Sequence, residues 1–207
     1  MRFSALWDLY KKLAEVPDYY FWRLRGSPMR GVPHLVKQRI LQEHARSYGL
    51  RTMVETGTNL GQMINAMLQL MDNIYSIEMD DWSYERAVRR FAGQCKVHMI
   101  RGSSAQELPR LLPTITQPTL FWLDAHNFDL ETPVREELQA ISAHMRPGHV
   151  ILIDDSSWFD GRNQYPTMEW VQRFVNNNLP GYTLKEEMHM IQIIPKWGGL
   201  QSPDISI

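Results

Sequence analysis

The chain has 207 residues, 43% hydrophobic and 22% charged, which supports one sizeable core and excludes a disordered or fibrous polymer. Lys plus Arg number 22 and Asp plus Glu 23, a net charge of −1, which argues against a global electrostatic grip on nucleic acid. Cys95 is the one cysteine, which excludes an internal disulfide framework and fits a reducing cytoplasm, and no apolar run is long enough to span a membrane.

Charge is unevenly spread. Residues 1–50 carry nine Lys/Arg against four Asp/Glu, so a basic arm precedes an acidic body. Within the arm, Phe3, Leu6, Trp7, Tyr10, Leu13 and Ala14 recur at helical spacing, and Pro17 closes this first amphipathic helix. Its apolar stripe suits packing on the body or on a second copy in a homo-oligomer, the commoner fate. Peripheral contact with an anionic membrane surface is the alternative. Tyr19-Tyr20-Phe21-Trp22, followed by arginines among glycines and prolines, reads as an irregular connector. A second helix runs from Pro33 to Tyr48, with Gly49 as its stop.

From Thr52 onward short apolar runs alternate with helical segments. Strands are expected at Thr52–Thr56, Ile74–Glu78, Lys96–Arg101, Thr119–Asp124 and His149–Asp154. Helices are expected at Leu60–Met71, Trp82–Phe91, Ala105–Leu112, Pro133–Met145 and Thr167–Asn177. Five strand–helix units with continuous apolar strands predict an α/β, Rossmann-like parallel sheet covered on both faces. Tyr182–Glu187 and Met190–Pro195 lie too close in sequence for a parallel crossover, so they form an antiparallel hairpin. The division is an N-terminal helix and connector at 1–32, an α/β domain at 33–197 and a loose tail at 198–207.

Ligands in open parallel sheets bind at the carboxyl ends of the strands. The first strand ends Glu55-Thr56-Gly57-Thr58-Asn59-Leu60-Gly61, a turn that brings backbone close to a ligand at a helix N-terminus. An acidic residue ahead of the glycines suits a cationic or zwitterionic ligand better than a pyrophosphate. The absence of G-x-G-x-x-G weighs against a nicotinamide dehydrogenase. Glu78 ends the second strand, where a carboxylate can accept both ribose hydroxyls. Gly102-Ser103-Ser104-Ala105-Gln106 follows the third and offers groups for a base edge, although Ser104 alone also suits a helix cap.

The fourth strand ends Asp124-Ala125-His126, the fifth Asp154-Asp155-Ser156. Adjacent strands bring Asp124, Asp154 and Asp155 to one edge, and three carboxylates converge only if compensated. A hard divalent cation with oxygen ligands, Mg²⁺ or Ca²⁺, meets that need, and His126 as a ligand would tilt the choice toward Mn²⁺ or Fe²⁺. The other reading is that Asp155 caps a loop and Asp124 alone meets ligand.

These residues together resemble a class I S-adenosylmethionine-dependent methyltransferase. The resemblance spans about residues 33–196 and includes a terminal hairpin like that fold's sixth and seventh strands. Val54–Thr58, Phe121–His126 and Leu152–Asp155 look more narrowly like a bacterial glycan or natural-product O-methyltransferase group, with macrolide-sugar O-methyltransferases and cephalosporin-hydroxylase-like relatives. The resemblance implies a cofactor site of Glu55, Thr56, Gly57, Thr58, Asn59, Gly61, Glu78, Ser103, Ser104, Gln106 and Asp124. It implies a Mg²⁺ site of Asp124, Asp154 and Asp155, with His126 and Asp124 in the catalytic roles. Asn59 stands where the first turn commonly has glycine, and Ser103 where many members have Asp.

The expected activity is metal-assisted O-methylation of a small hydroxylated acceptor such as a sugar, in the cytoplasm. A metal-independent N- or O-methyltransferase and a cofactor-binding scaffold are the competing readings. Arg162, Asn163, Gln164 and Tyr165 follow the fifth strand, where a loop shapes an acceptor pocket, and Trp158 and Phe159 either stack on a ring or pack in the core.

Overall fold

The computed structural model describes residues 17–26, 31–125 and 132–196. Helix α1 (17–24) and α2 (His34–Ser47) lead into β1 (Thr52–Thr56), α3 (Gln62–Met67), β2 (Asn73–Glu78), α4 (Asp81–Phe91) and β3 (Val97–Arg101). Then follow α5 (Ser104–Leu111), β4 (Thr119–Leu123), α6 (Val134–Ala143), β5 (Val150–Ile153), α7 (Met168–Asn178), β6 (Tyr182–Glu187) and β7 (Met190–Pro195). The strands form one sheet in the order β3-β2-β1-β4-β5-β7-β6. The first five run parallel, and β7 lies antiparallel between β5 and β6. The expected Rossmann-like sheet with a terminal antiparallel hairpin is therefore present.

Every residue of β1, β4 and β5 is buried, as strands covered on both faces require. Successive side chains serve opposite layers. Met53, Leu120, Trp122, Val150 and Leu152 pack with Ile40, Leu41, Ile64 and Phe91 from α2, α3 and α4. Val54, Phe121, Leu123, Ile151 and Ile153 pack with Leu108, Leu138, Ile141 and Val171 from α5, α6 and α7. The β6–β7 turn places Met188 and His189 at φ 51° and 62°, the two left-handed residues of a tight hairpin. Among the described residues no helix is long and apolar enough to cross a membrane.

Two elements differ from their expected form. Helix α3 starts two residues after Leu60, because Asn59 and Gly61 take left-handed backbone at φ 45° and 67°, and it ends at Met67 rather than Met71. The aromatic run at 19–22 is helical rather than an irregular connector. Tyr19 and Trp22, three residues apart, share one helix face. Trp22 is 4% exposed and joins the core beside Val32 and Val36, while the Arg39 guanidinium lies 5.0 Å from the Tyr19 ring centroid. Burial of these rings outweighs the breaker signals around them. The expected helix before Pro17 and the tail at 198–207 lie outside the described residues.

Docking of α1 makes a measurable prediction. Trp22→Ala should lower the unfolding free energy in urea by about 3–5 kcal/mol, as for other buried large aromatics. Phe21→Ala, on the exposed face, should change it by less than about 0.5 kcal/mol. Equal effects of the two would show that α1 is not packed on the body.

Candidate active site

The carboxyl ends of β1 to β5 are stitched together before any side chain is considered. Gly57 N–H donates to the Ile77 carbonyl at 2.9 Å, and Asp124 N–H donates to the Thr56 carbonyl at 3.0 Å. Gly57 has φ 84°, and a Cβ there would lie 2.4 Å from the Asp124 carbonyl oxygen. Only glycine permits so close an approach of two chains. A cleft of about 910 Å³ opens above this seam, within the range of roughly 300–1,000 Å³ typical of small-molecule sites.

At one end the cleft meets Gly57, Asn59, Glu78, Gly102, Ser103 and Ser104. The Glu78 carboxylate accepts from Asn59 N–H at 2.9 Å and from Asp80 N–H at 2.8 Å, which fixes it against the first turn. Each of its oxygens keeps a second lone pair for a ligand hydroxyl. Asp80 caps α4 by accepting from Ser83 N–H at 2.8 Å, which holds its carboxyl below the usual range. Ser103, rather than Ser104, takes the cap position of α5, and it makes no side-chain cap bond.

Other expected cofactor residues lie beneath or beside the cleft. Thr56, Thr58, Gly61 and Gln106 do not line it. Glu55 is 1% exposed under the floor, where it accepts from the Ser76 hydroxyl at 2.5 Å, and Thr58 donates in turn to Ser76 at 2.6 Å. Burial pushes its carboxyl up to about 8, against the lowering by Ser76. Glu137 on α6, not singled out in the sequence, is likewise fully buried. Neither of its oxygens has a hydrogen bond of normal geometry. Burial pushes it up to about 7, eased by the neighbouring Ser104 and Thr56 hydroxyls. An acidic residue in a helix's first turn normally reads as a dipole partner at the surface, so no sequence signal marked it.

At the other end Asp124, Asp155, Trp158 and Tyr165 face the cleft. Trp158 is 40% exposed and stacks near Tyr165 at 6.1 Å, whereas Phe159 is core. A side cavity of about 420 Å³ shares Ser103, Pro133 and Tyr165 with the cleft and adds Thr132, Arg135 and Gln164. Of the loop residues expected to shape an acceptor pocket, Gln164 and Tyr165 do line it. His126 lies outside the described residues.

The carboxylates have a partner that the sequence reading overlooked. Lys37 Nζ lies 2.6 Å from Asp154 Oδ2 and 3.8 Å from Asp155 Oδ1. The other Asp154 oxygen accepts from Asp155 N–H at 2.7 Å. Burial pulls Lys37 down, but Asp154, Asp155 and Asp124 together carry it above its ordinary value, so it stays charged. Burial, then Asp154, holds Asp124 well above the usual carboxylate range, with Lys37 opposing. Burial and the same three carboxylates push the Tyr165 hydroxyl up. The signal for Lys37 was its position: it shares the buried stripe of α2 with Leu41, His44 and Ala45, and lysine is rarely buried unpaired.

A divalent cation on Asp124, Asp154 and Asp155 was expected to compensate their charge. The arrangement does not fit one as it stands, because the ammonium already occupies Asp154 Oδ2. Among the described residues the group with metal-ligand spacing is Asp154, Asp155 and His189, with ligand atoms within 4.8 Å of one another. It omits Asp124 and shares Asp154 with Lys37. His189, unmarked in the sequence, lies 3.4 Å from Asp155 Oδ1 through Nδ1 and 2.6 Å from the Ser157 hydroxyl through Nε2.

Comparison with known proteins agrees with this geometry. Residues 54–156 match the family described as a methyltransferase domain. A Staphylococcus aureus protein provisionally assigned as a caffeoyl-CoA O-methyltransferase is 15% identical over 92% of this chain and 97% of its own, with a TM-score of 0.61. The O-methyltransferase TomG from Streptomyces achromogenes, in complex with S-adenosylmethionine, is 19% identical over 77% and 79%, at 0.56. The N-methyltransferase NodS from Bradyrhizobium japonicum is 11% identical over 76% and 92%, at 0.54. At these identities the likeness is one of fold. No curated protein sequence gives a significant match. Residues 54–156 thus carry the match to a methyltransferase domain, within a sheet that has the fold of these solved methyltransferases.

The buried acids set a pH dependence. Both have folded values above their unfolded one, so the folded state binds the extra protons and stability falls as pH rises. The fall should run from about pH 4.5 to about 7 for Glu137 and on to about 8 for Glu55. Glu137→Gln should flatten the lower part and make the protein more stable than wild type at pH 8, read from urea unfolding across pH. Buried His149, pulled down to about 4, raises stability across the lower part of this range, so the readout is the difference between Glu137→Gln and wild type. A difference that does not change with pH would contradict the assignment.

Proposed function

We propose that residues 33–197 methylate a hydroxyl oxygen on a small acceptor that docks at the Asp124–Asp155 end of the cleft. One observation carries this reading. A single cleft joins a fixed ribose-type carboxylate, Glu78, to a wall of Asp124, Asp155, Trp158 and Tyr165. The first end suits the ribose, with Gly57 and Asn59 under the methionine part and Ser103 and Ser104 beside the adenine. Bound there, S-adenosylmethionine supplies a methyl group activated on a sulfonium for in-line displacement.

The protein's share is position and proton transfer. The Trp158 face, open to the cleft, offers stacking for a ring, and Gln164 and Arg135 offer hydrogen bonds from the side cavity. An acceptor hydroxyl is a weak nucleophile until its proton is taken. Asp124, whose carboxyl burial and Asp154 hold well above the usual carboxylate range, binds a proton more readily than an exposed carboxylate and lies on the wall where that proton is released. The fold supports transfer to oxygen or nitrogen alike, as the named neighbours show. The oxygen reading rests on the carboxylate wall, which can accept a hydroxyl proton and keep it.

Calorimetric titration with S-adenosylhomocysteine tests the cofactor half. Wild type should bind, and Glu78→Ala should bind at least about tenfold more weakly, the loss expected of charged hydrogen bonds. A folded wild type that does not bind would overturn the assignment, and undiminished binding by Glu78→Ala would remove Glu78 from the site.

A further inference from the structure

We propose that Lys37 is a built-in cation of the acceptor site, a positioning residue whose ammonium takes the place of a divalent ion between Asp154 and Asp155 and makes the site independent of added metal. The inference rests on the proposed function only in taking this end of the cleft as the acceptor end.

The geometry leaves little for a metal to bind. Asp154 is 3% exposed, and both of its oxygens are engaged, one by Lys37 and the other by Asp155 N–H. A Mg²⁺ ion needs near-octahedral oxygens at about 2.0–2.1 Å, so on Asp154 Oδ2 it would sit against the Lys37 ammonium, a like charge in a buried site, whatever lone pair that oxygen keeps. Entry of the ion would expel a buried ammonium from its ion pair and leave it without a partner in a low-dielectric site.

Lys37 is also held in place. On α2, Val36, Ile40 and Leu41 around it are at most 1% exposed. Gln42 Nε2 donates to the Ala66 carbonyl at 2.9 Å, and His44 Nε2 meets Gln192 Oε1 on β7 at 3.0 Å. The helix is therefore tied to α3 on one side and to the sheet on the other. It lies outside residues 54–156, so the cation comes from a segment beyond the matched domain. Its role is to neutralise and orient Asp154 and Asp155, and through Asp155 to shape the wall that the acceptor meets.

The test titrates the full chain with MgCl₂ by calorimetry, with S-adenosylhomocysteine titrated separately, for wild type, Lys37→Arg and Lys37→Met. Wild type and Lys37→Arg should show no saturable Mg²⁺ binding at millimolar concentration. Lys37→Met should gain a saturable site, which Asp155→Asn added to it abolishes. A lysine with a merely structural role would not produce that gain. Saturable Mg²⁺ binding by wild type, lost in Asp155→Asn, overturns the proposal. So does a folded Lys37→Met that gains no site. Should Lys37→Met not fold, wild type decides through Mn²⁺ and water-proton relaxation: no enhancement supports the proposal, and an enhancement lost in Asp155→Asn overturns it. Failure of folded wild type to bind S-adenosylhomocysteine would sink the methyltransferase reading and leave the cation result standing.

Discussion

Parallel strands deliver their carboxyl ends to one edge, and in this chain that edge carries acids. Glu55, Glu78, Asp124, Asp154 and Asp155 all lie within or just past β1, β2, β4 and β5. Desolvating so much like charge is the constraint on which the rest of the site depends. The protein answers it in three ways. Glu55, with Glu137 beside the seam, takes up a proton more readily than an exposed acid does. Glu78 is held by two backbone N–H groups. The Asp154–Asp155 pair receives the Lys37 ammonium.

That division assigns work to different parts of the cleft. The first end needs a fixed acceptor of hydrogen bonds, and backbone N–H groups hold Glu78 without covering all its lone pairs. The floor needs neutrality and close packing, which the Gly57–Asp124 contact and the protonated acids supply. At the far wall the Lys37 ammonium opposes the burial that holds Asp124 and Asp154 above the usual carboxylate range. Helix α2 supplies the charged partner of this end of the cleft, although it precedes the first strand.

The sheet was legible because its strands are buried on both faces and read as unbroken apolar runs. The bounds of β1, β6 and β7 match their expectation. Glu78, Gly57, Asn59, Ser103, Ser104, Asp124 and Asp155 fall on the cleft because strand ends can be located from those runs. What was not legible depends on distant contacts. Lys37 and Asp154 are 117 residues apart, and nothing local pairs them. Helix α1 was hidden by Pro17 and by an aromatic run whose burial outweighs its local signals. Glu137 resembles an ordinary first-turn acid until Thr56 and Ser104 enclose it. A charge argument looked for a cation near Asp154 and chose a divalent ion; the Lys37 ammonium found there comes from another helix.

The most direct measurement is a crystal structure with S-adenosylhomocysteine, grown in MnCl₂ and examined by anomalous scattering. The account predicts the ribose on Glu78, Lys37 Nζ between Asp154 and Asp155, and no manganese peak there. A manganese peak between those carboxylates with Lys37 displaced, or a cleft in which Glu78 does not touch the ribose, would contradict it.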